Sequence, residues 1–204
     1  MISCGTESHC LHRIFSCTEN DVDMHGGNMM KPRDFFLNKT YMENAVVEDH
    51  ELKGITPEMI DWWWDHIDNS ERYLMWHPKD HISFEWLVPP TESHIGAIQL
   101  VEEYIGGQRV TIRIRWEDPR DVPNEYSHVL VASILDDNGE IVRSFKHEYE
   151  EAPFGVRMRS TFPLTPETPK WRAQGLPIHN REEMQRLPEF LPKLYREETL
   201  SRKK

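Results

Sequence analysis

Four places in the chain group side chains that can hold a metal or move a proton. His77 and His81 stand four residues apart in "YLMWHPKDHISFEW". Glu102 and Glu103 are neighbours in "VEEYIG", His147 precedes Glu148, and His179 is followed by Glu182 and Glu183. Imidazole nitrogens and carboxylate oxygens are donors that zinc takes, usually four at a time, and a catalytic site keeps one position open for water or substrate. The four places fall on different elements, as groups lining one cavity should.

Each place also has a plain structural reading. Pro78 starts a turn or helix, so His77 and His81 are not assured a shared helical face and serve equally as polar loop residues. Adjacent strand residues point to opposite faces, so one of Glu102 and Glu103 faces inward, where a carboxylate is costly unless paired or liganded. His147 reads equally as an exposed strand residue beside Glu148, Glu150 and Glu151. Asn180 reads as an N-cap with Glu183 closing a capping box; if the helix already includes His179, that ring and Glu183 share one face.

The elements that must position these groups follow from the pattern. Thr56 is a natural N-cap, Pro57 suits the first helical position and Glu58 the first turn. Met59, Trp63, His66 and Ile67 then fall on one helical face. Asp68 and Asn69 end that helix, and Ser70 caps a short second one. Six strand-like runs follow, over residues 82–88, 95–106, 109–116, 127–135, 140–150 and 154–164. In the third, Val110, Ile112, Ile114 and Trp116 alternate with Thr111, Arg113 and Arg115, a clean period of two. Gly106-Gly107 and "DDNG" at 136–139 mark hairpin turns. Residues 165–177 hold three prolines and read as a crossover loop. Pro188 and Pro192 predict two short helices or one kinked helix at the C-terminus.

A helix pair, about six antiparallel strands and a C-terminal helix describe an α+β domain. The favoured arrangement is a curved antiparallel sheet wrapped around the C-terminal helix and enclosing a cavity, a helix-grip, START-like outline. An open meander with helices on one face is the alternative. The expected organisation is a flexible extension over 1–40, one catalytic domain over 41–199 and a basic tail over 200–204. The extension holds Cys4, Cys10 and Cys17 with His9 and His12, in a spacing that matches no defensible zinc pattern.

Composition excludes several classes. A net charge of -11 lacks the basic footprint of nucleic-acid binding. Three cysteines near one end argue against a disulfide scaffold and for a reducing compartment. The N-terminus has no apolar core of a secretory signal, and no apolar run approaches the ~20 residues that span a bilayer. The expectation is a soluble, cytoplasmic protein with no membrane or nucleic-acid partner.

The segments "PEMIDWWWDHIDNSERYLMWHPKDH", "VEEYIG", "GVRMRSTF" and "HNREEMQRLPEFLPKLY", in this order, resemble the diacetylphloroglucinol hydrolase family, which includes phloretin hydrolase-like enzymes. The resemblance covers roughly residues 55–195. It implies a helix-grip fold with Zn²⁺ in its cavity and hydrolysis of the carbon–carbon bond between an acyl group and a polyphenol, or of a related β-diketone. It assigns the metal to His81, Glu103, His179 and Glu183, with Glu102 the close alternative to Glu103. It makes His147 a substrate contact and Tyr73 a hydrogen-bonding partner of the substrate's oxygens. Proton shuttling by His147 would then offset the two carboxylates, which make bound water less acidic. His77 becomes a group behind the ligands or on the pocket rim, and the tryptophans of the first helix, Trp63 among them, become candidates for the wall. Phe162 falls where a pocket tyrosine is typical, which removes a substrate hydrogen bond worth about 0.5–1.5 kcal/mol. The implied partner is a small aromatic or polyketide molecule, and the resemblance suggests a homodimer. Two other functions remain on the same scaffold: a cyclase or pericyclase of polyketide or other secondary metabolism, and a metal-free small-molecule carrier.

Overall fold

The computed structural model describes residues 30–201. The expected cysteine-bearing stretch and most of the expected extension lie outside these residues. Order begins before residue 40: α1 (Pro32–Leu37) and α2 (Lys39–Glu43) lead into β1 (Val46–Lys53). Phe35 and Phe36 of α1 are buried. Then come α3 (Pro57–His66), α4 (Ser70–Trp76), β2 (His81–Val88), β3 (Ile98–Ile105), β4 (Gln108–Glu117), β5 (His128–Leu135), β6 (Ile141–Ala152), β7 (Gly155–Phe162) and α5 (Lys170–Ser201).

The seven strands form one antiparallel sheet in the order β1-β7-β6-β5-β4-β3-β2. Consecutive strands from β2 to β7 are hairpin neighbours, and β1 closes the far edge against β7. Helix α5 packs on β1 at one edge and on β3 near the other, so the sheet curves around it. This is the helix-grip α+β fold.

All six expected strands are present, and β1 is a seventh that the pattern did not reveal. On β1 only His50 and Leu52 are buried. A charged and an imidazole side chain at inward positions hid its period of two. Thr56 caps α3 through Met59 N–H. Its buried face is Ile60, Trp63, Trp64 and Ile67, turned from the expected one, with Met59 and His66 on the flank. Asn69, not Ser70, caps α4: its side chain accepts from Arg72 N–H.

The C-terminal element is one helix of 32 residues, with Pro177, Pro188 and Pro192 inside it. It begins at Lys170, so the second half of the expected crossover loop is helical. Each internal proline costs about 3 kcal/mol. Burial of Leu176, Met184, Leu187 and Leu191, at about 1.5–3 kcal/mol each, offsets that cost. Tertiary packing here overrides propensity.

A close backbone contact fixes where α5 sits. The β3–β4 turn places Gly106 and Gly107 at φ 57° and 75°, conformations that favour glycine. A Cβ on Gly175 would lie 2.4 Å from Gly106 Cα, and one on Gly106 would lie 2.5 Å from the Trp171 carbonyl oxygen. Gly175→Ala should therefore destabilise the fold by about 1–3 kcal/mol through overpacking. His179 follows one turn later, so metal affinity should fall as well. Thermal unfolding and metal titration of the variant check this; an unchanged midpoint and affinity would refute it.

Candidate metal centre

His81 opens β2, one tight turn after α4. The turn "HPKD" closes through a hydrogen bond from His81 N–H to the His77 carbonyl, 2.9 Å. The two histidines are thus four apart because a turn separates them, and their rings lie 5.2 Å apart and tilted. Glu103 on β3 is the register partner of His81, so strand pairing sets the two side by side. Glu103 is buried, whereas Glu102 points outward and takes Arg109 in two 2.8 Å hydrogen bonds. His179 and Glu183 share a face of α5, well inside the helix. The N-cap reading of Asn180 therefore does not hold.

These three elements bring four donors together. His81 Nε2 lies 3.7 Å from Glu103 Oε2 and 3.6 Å from Glu183 Oε2. His179 Nε2 lies 3.8 Å from each of the same two oxygens. His81, His179 and Glu183 form a buried group able to hold a metal ion. The tautomer of His81 fits that use. Its Nδ1 donates to the Tyr73 carbonyl at 2.8 Å, which leaves the lone pair on Nε2. That nitrogen is buried with no hydrogen-bond partner among the described residues. A lone pair aimed at two carboxylates calls for a positive species between them.

Charge is arranged to match. Burial would raise the Glu183 carboxyl, but positive charge at His81, His179 and His147, which is present only when those rings are protonated, outweighs it and holds the carboxyl at about 2. Burial pushes His179 down, yet Glu103, Glu183 and Asp80 together hold it above its ordinary value. Burial and the neighbouring Glu103 push the Tyr73 phenol up; its hydroxyl donates to Glu103. The Tyr73 ring stacks flat on His81 with centroids 3.7 Å apart.

Asp80 and His77 stand behind the donor cluster. Asp80 Oδ2 lies 3.6 Å from His179 Nδ1, and the His77 ring stacks on His179 at 4.8 Å. His77, Asp80 and His179 also satisfy the distances for a second metal group. The tautomer argues against it: Asp80 N–H donates to His77 Nδ1, so His77 Nε2 carries the proton and faces Glu182 at 3.4 Å. A carboxylate behind a metal-bound imidazole orients it and raises its basicity. Asp80→Asn should weaken metal binding about 10–100-fold while leaving the fold intact. Metal titration by calorimetry reads this, and an unchanged affinity would show that Asp80 has no such part.

A cavity adjoins the cluster, reached by three of its four donors. Tyr73, Glu103, His179 and Glu183 reach it, and Trp64, Trp116, His147 and Phe162 form part of its wall. Two expected pocket residues do not line it. His77 is buried behind His179. Trp63 lies edge-on between Trp76 and Phe190 in the core, because successive helical residues turn by about 100°. Trp64 takes the wall position instead and stacks parallel to His147, 5.9 Å apart. Glu148 faces away from His147, bonded to Lys146 and Glu125 N–H.

The sequence pattern missed His50, Ser160, Asn180 and Asp80 as parts of this site. His50 sits on the unrecognised β1. Asp80 lies in the quoted histidine turn, where its spacing was the available signal.

The fold is thus a curved sheet gripping a helix, with a buried His/Glu cluster able to hold a metal ion next to a cavity walled by aromatic side chains. The family model "DAPG hydrolase PhiG domain" matches residues 42–174, and the chain belongs to this family. The match contains Tyr73, His81, Glu103 and His147 and ends before His179 and Glu183. Phloretin hydrolase of Eubacterium ramulus is 26% identical over 182 residues, covering 72% of this chain and 65% of that protein. The chain thus matches less than two thirds of that relative's length. Among solved structures, the KanY protein (ms6282) shares 10% identity at a TM-score of 0.51, over 72% of this chain and 97% of that one. Protein Ms6760 from Mycobacterium smegmatis shares 10% at 0.50, over 75% and 94%. These two share the fold. No described helix is long and apolar enough to cross a membrane.

Proposed function

We propose that this protein is a zinc-dependent hydrolase that removes an acyl group from a polyphenol of the acylphloroglucinol type, or from a related β-diketone, by cleaving a carbon–carbon bond. The observation that carries the reading is the convergence of His81, Glu103, His179 and Glu183 beside an aromatic cavity, with donor separations of 3.6–3.8 Å. His81, His179 and Glu183 already satisfy the spacing of a metal-holding group, Glu103 Oε2 lies within 3.8 Å of both imidazole nitrogens, and nitrogen and carboxylate oxygen are donors that zinc takes. Membership of a family named for hydrolysis, and likeness to a phloretin hydrolase, support the reaction class.

The chemistry asks for a leaving carbon that carries negative charge. A phloroglucinol ring in its keto form makes the acyl group part of a 1,3-diketone. Water adds to the acyl carbonyl, the bond to the ring breaks, and the ring leaves as an enolate that takes a proton and rearomatises. The products are a carboxylic acid and the free phenol. Zinc, when bound, supplies Lewis acidity and lowers the pKa of water toward about 7. The one O–H of Tyr73 donates to Glu103, so the phenol oxygen meets the substrate with a lone pair and accepts from a ring hydroxyl. Trp64 and Trp116 offer aromatic faces to the ring, while Phe162 keeps its side of the cavity dry. His147 contacts a substrate oxygen.

A second reading, a cyclase or pericyclase, rests on Phe162, whose phenyl ring leaves that wall without a hydroxyl. One experiment separates the readings. Purified protein is assayed for metal and incubated with a panel of acylphloroglucinols. Near-stoichiometric zinc and release of free carboxylic acid are expected. Isomerisation without acid would establish the cyclase, and trace metal would overturn the zinc centre and leave a carrier.

A further inference from the structure

A buried chain of hydrogen bonds runs from the metal cluster to His147, and its polarity can be read link by link. It begins at Glu183, whose Oε1 accepts from Asn180 Nδ2 at 2.8 Å. A carboxylate only accepts, so it fixes which end of the amide faces it. Asn180 Oδ1 therefore faces His50 Nε2, 3.0 Å away. An amide oxygen only accepts, so His50 Nε2 carries a proton. This holds whether His50 is neutral or charged.

The same His50 Nε2 lies 3.3 Å from Ser160 Oγ. A protonated nitrogen cannot accept, so the serine proton points elsewhere. Its remaining partner is His147 Nδ1, 2.8 Å away. Ser160 therefore donates to Nδ1, and the proton of a neutral His147 resides on Nε2. His50, His147, Ser160 and Asn180 are all buried, so water does not scramble the order. His147 lines the cavity, and its Nε2 has no hydrogen-bond partner among the described residues.

We infer that His147 meets the substrate as a neutral hydrogen-bond donor through Nε2–H, with that polarity imposed from Glu183 through the positioning residues Asn180, His50 and Ser160. The inference deepens the proposed hydrolase and rests on it for the identity of the substrate. It replaces the expected proton shuttle. A His147 that takes a proton from water needs a lone pair in the cavity, and here both ends of the ring are committed the other way. The donor faces the carbonyl or enolate oxygen on which charge builds, which is how a preorganised donor stabilises a developing oxyanion. A neutral imbalance of this kind, imidazole acting as electrophile and not as base, is an established device. Through the same chain the ligand that holds the metal also sets the acid–base character of the opposite wall.

The test is ring-nitrogen NMR on the full chain with labelled histidine, metal-loaded and without substrate. The His147 signals are assigned by their disappearance in His147→Gln. The expected result at neutral pH is one tautomer, with a pyridine-type Nδ1 and a protonated, pyrrole-type Nε2. A protonated Nδ1 would overturn the inference, as would an imidazolium. Ser160→Ala removes the donor to Nδ1. It should mix the tautomers and lower kcat about tenfold, near the worth of one hydrogen bond, with KM changed less than twofold; an unchanged tautomer together with full kcat would sink the relay. The spectrum needs no substrate, so its failure is distinguishable from failure of the hydrolase reading, which metal content and acid release decide.

Discussion

His81→Ala and Glu183→Ala each lose the metal and the activity together. Both side chains are buried, and each supplies one donor to a set drawn from three elements. Removing one leaves three donors and a hole beside them. Zinc content should fall from near one per chain to a trace. Losing the Lewis acid removes several kcal/mol of charge stabilisation, which corresponds to a fall in kcat/KM of at least about a thousandfold. Stability gives a second readout. A chelator should lower the unfolding midpoint of the unaltered protein and leave both variants where they were, because a ligand stabilises only a fold that binds it. Two neighbours serve as controls. Glu102→Ala removes an exposed partner of Arg109, and His77→Ala removes a ring that stacks behind His179; both should keep the metal. Full zinc occupancy in both His81→Ala and Glu183→Ala would end this ligand assignment.

The contrast between Glu102 and Glu103 shows what the sequence could and could not carry. Strand alternation states that one of the pair faces inward but not which, because two adjacent acids read alike. The register of β2 on β3 decides it, and register is a tertiary fact. The β2–β7 meander was legible because Val, Ile and aromatic residues alternate with charges, and because Gly106-Gly107 and Asp136–Gly139 punctuate it. Strand β1 was not, since its inward face holds His50 where an apolar residue would announce a strand. Helix α5 was misread for a related reason. Three prolines signal a broken helix locally, whereas Met184, Leu187 and Leu191, all fully buried, hold it as one. Trp63 and Trp64 differ by one position, and only the docking of α3 sends the first to the core and the second to the cavity. The four candidate places were visible from the chain, though only the family resemblance assigned them to a metal; the polar relay behind them was not, because it depends on β1, β7 and α5 meeting.

His147→Leu retains the metal and loses turnover. The ring touches the cavity and lies outside the four-donor cluster, so zinc content should stay near that of the unaltered protein. Loss of one preorganised donor to a developing oxyanion costs about 10²–10³ in kcat. His147→Gln should recover part of that loss, since its amide offers an N–H and has no basic nitrogen. A base, by contrast, would be no better replaced by glutamine than by leucine, and equal activities of the two variants would reject the donor role. The same residue leaves a mark on stability. Burial drives the His147 imidazole down to about 4 from its ordinary 6.5, with Glu183 opposing and His50 assisting. Between those values the unfolded chain binds a proton that the folded one does not, so stability rises with pH across this window and falls as the solution is acidified from 6.5 toward 4. The displacement corresponds to about 3 kcal/mol. His147→Leu should lack this component, and the difference in unfolding free energy between the two proteins should shrink as pH drops. A difference that stays constant from pH 7 to about 4 would mean that the folded and unfolded chains bind the His147 proton alike, so that burial does not hold the ring neutral across this window.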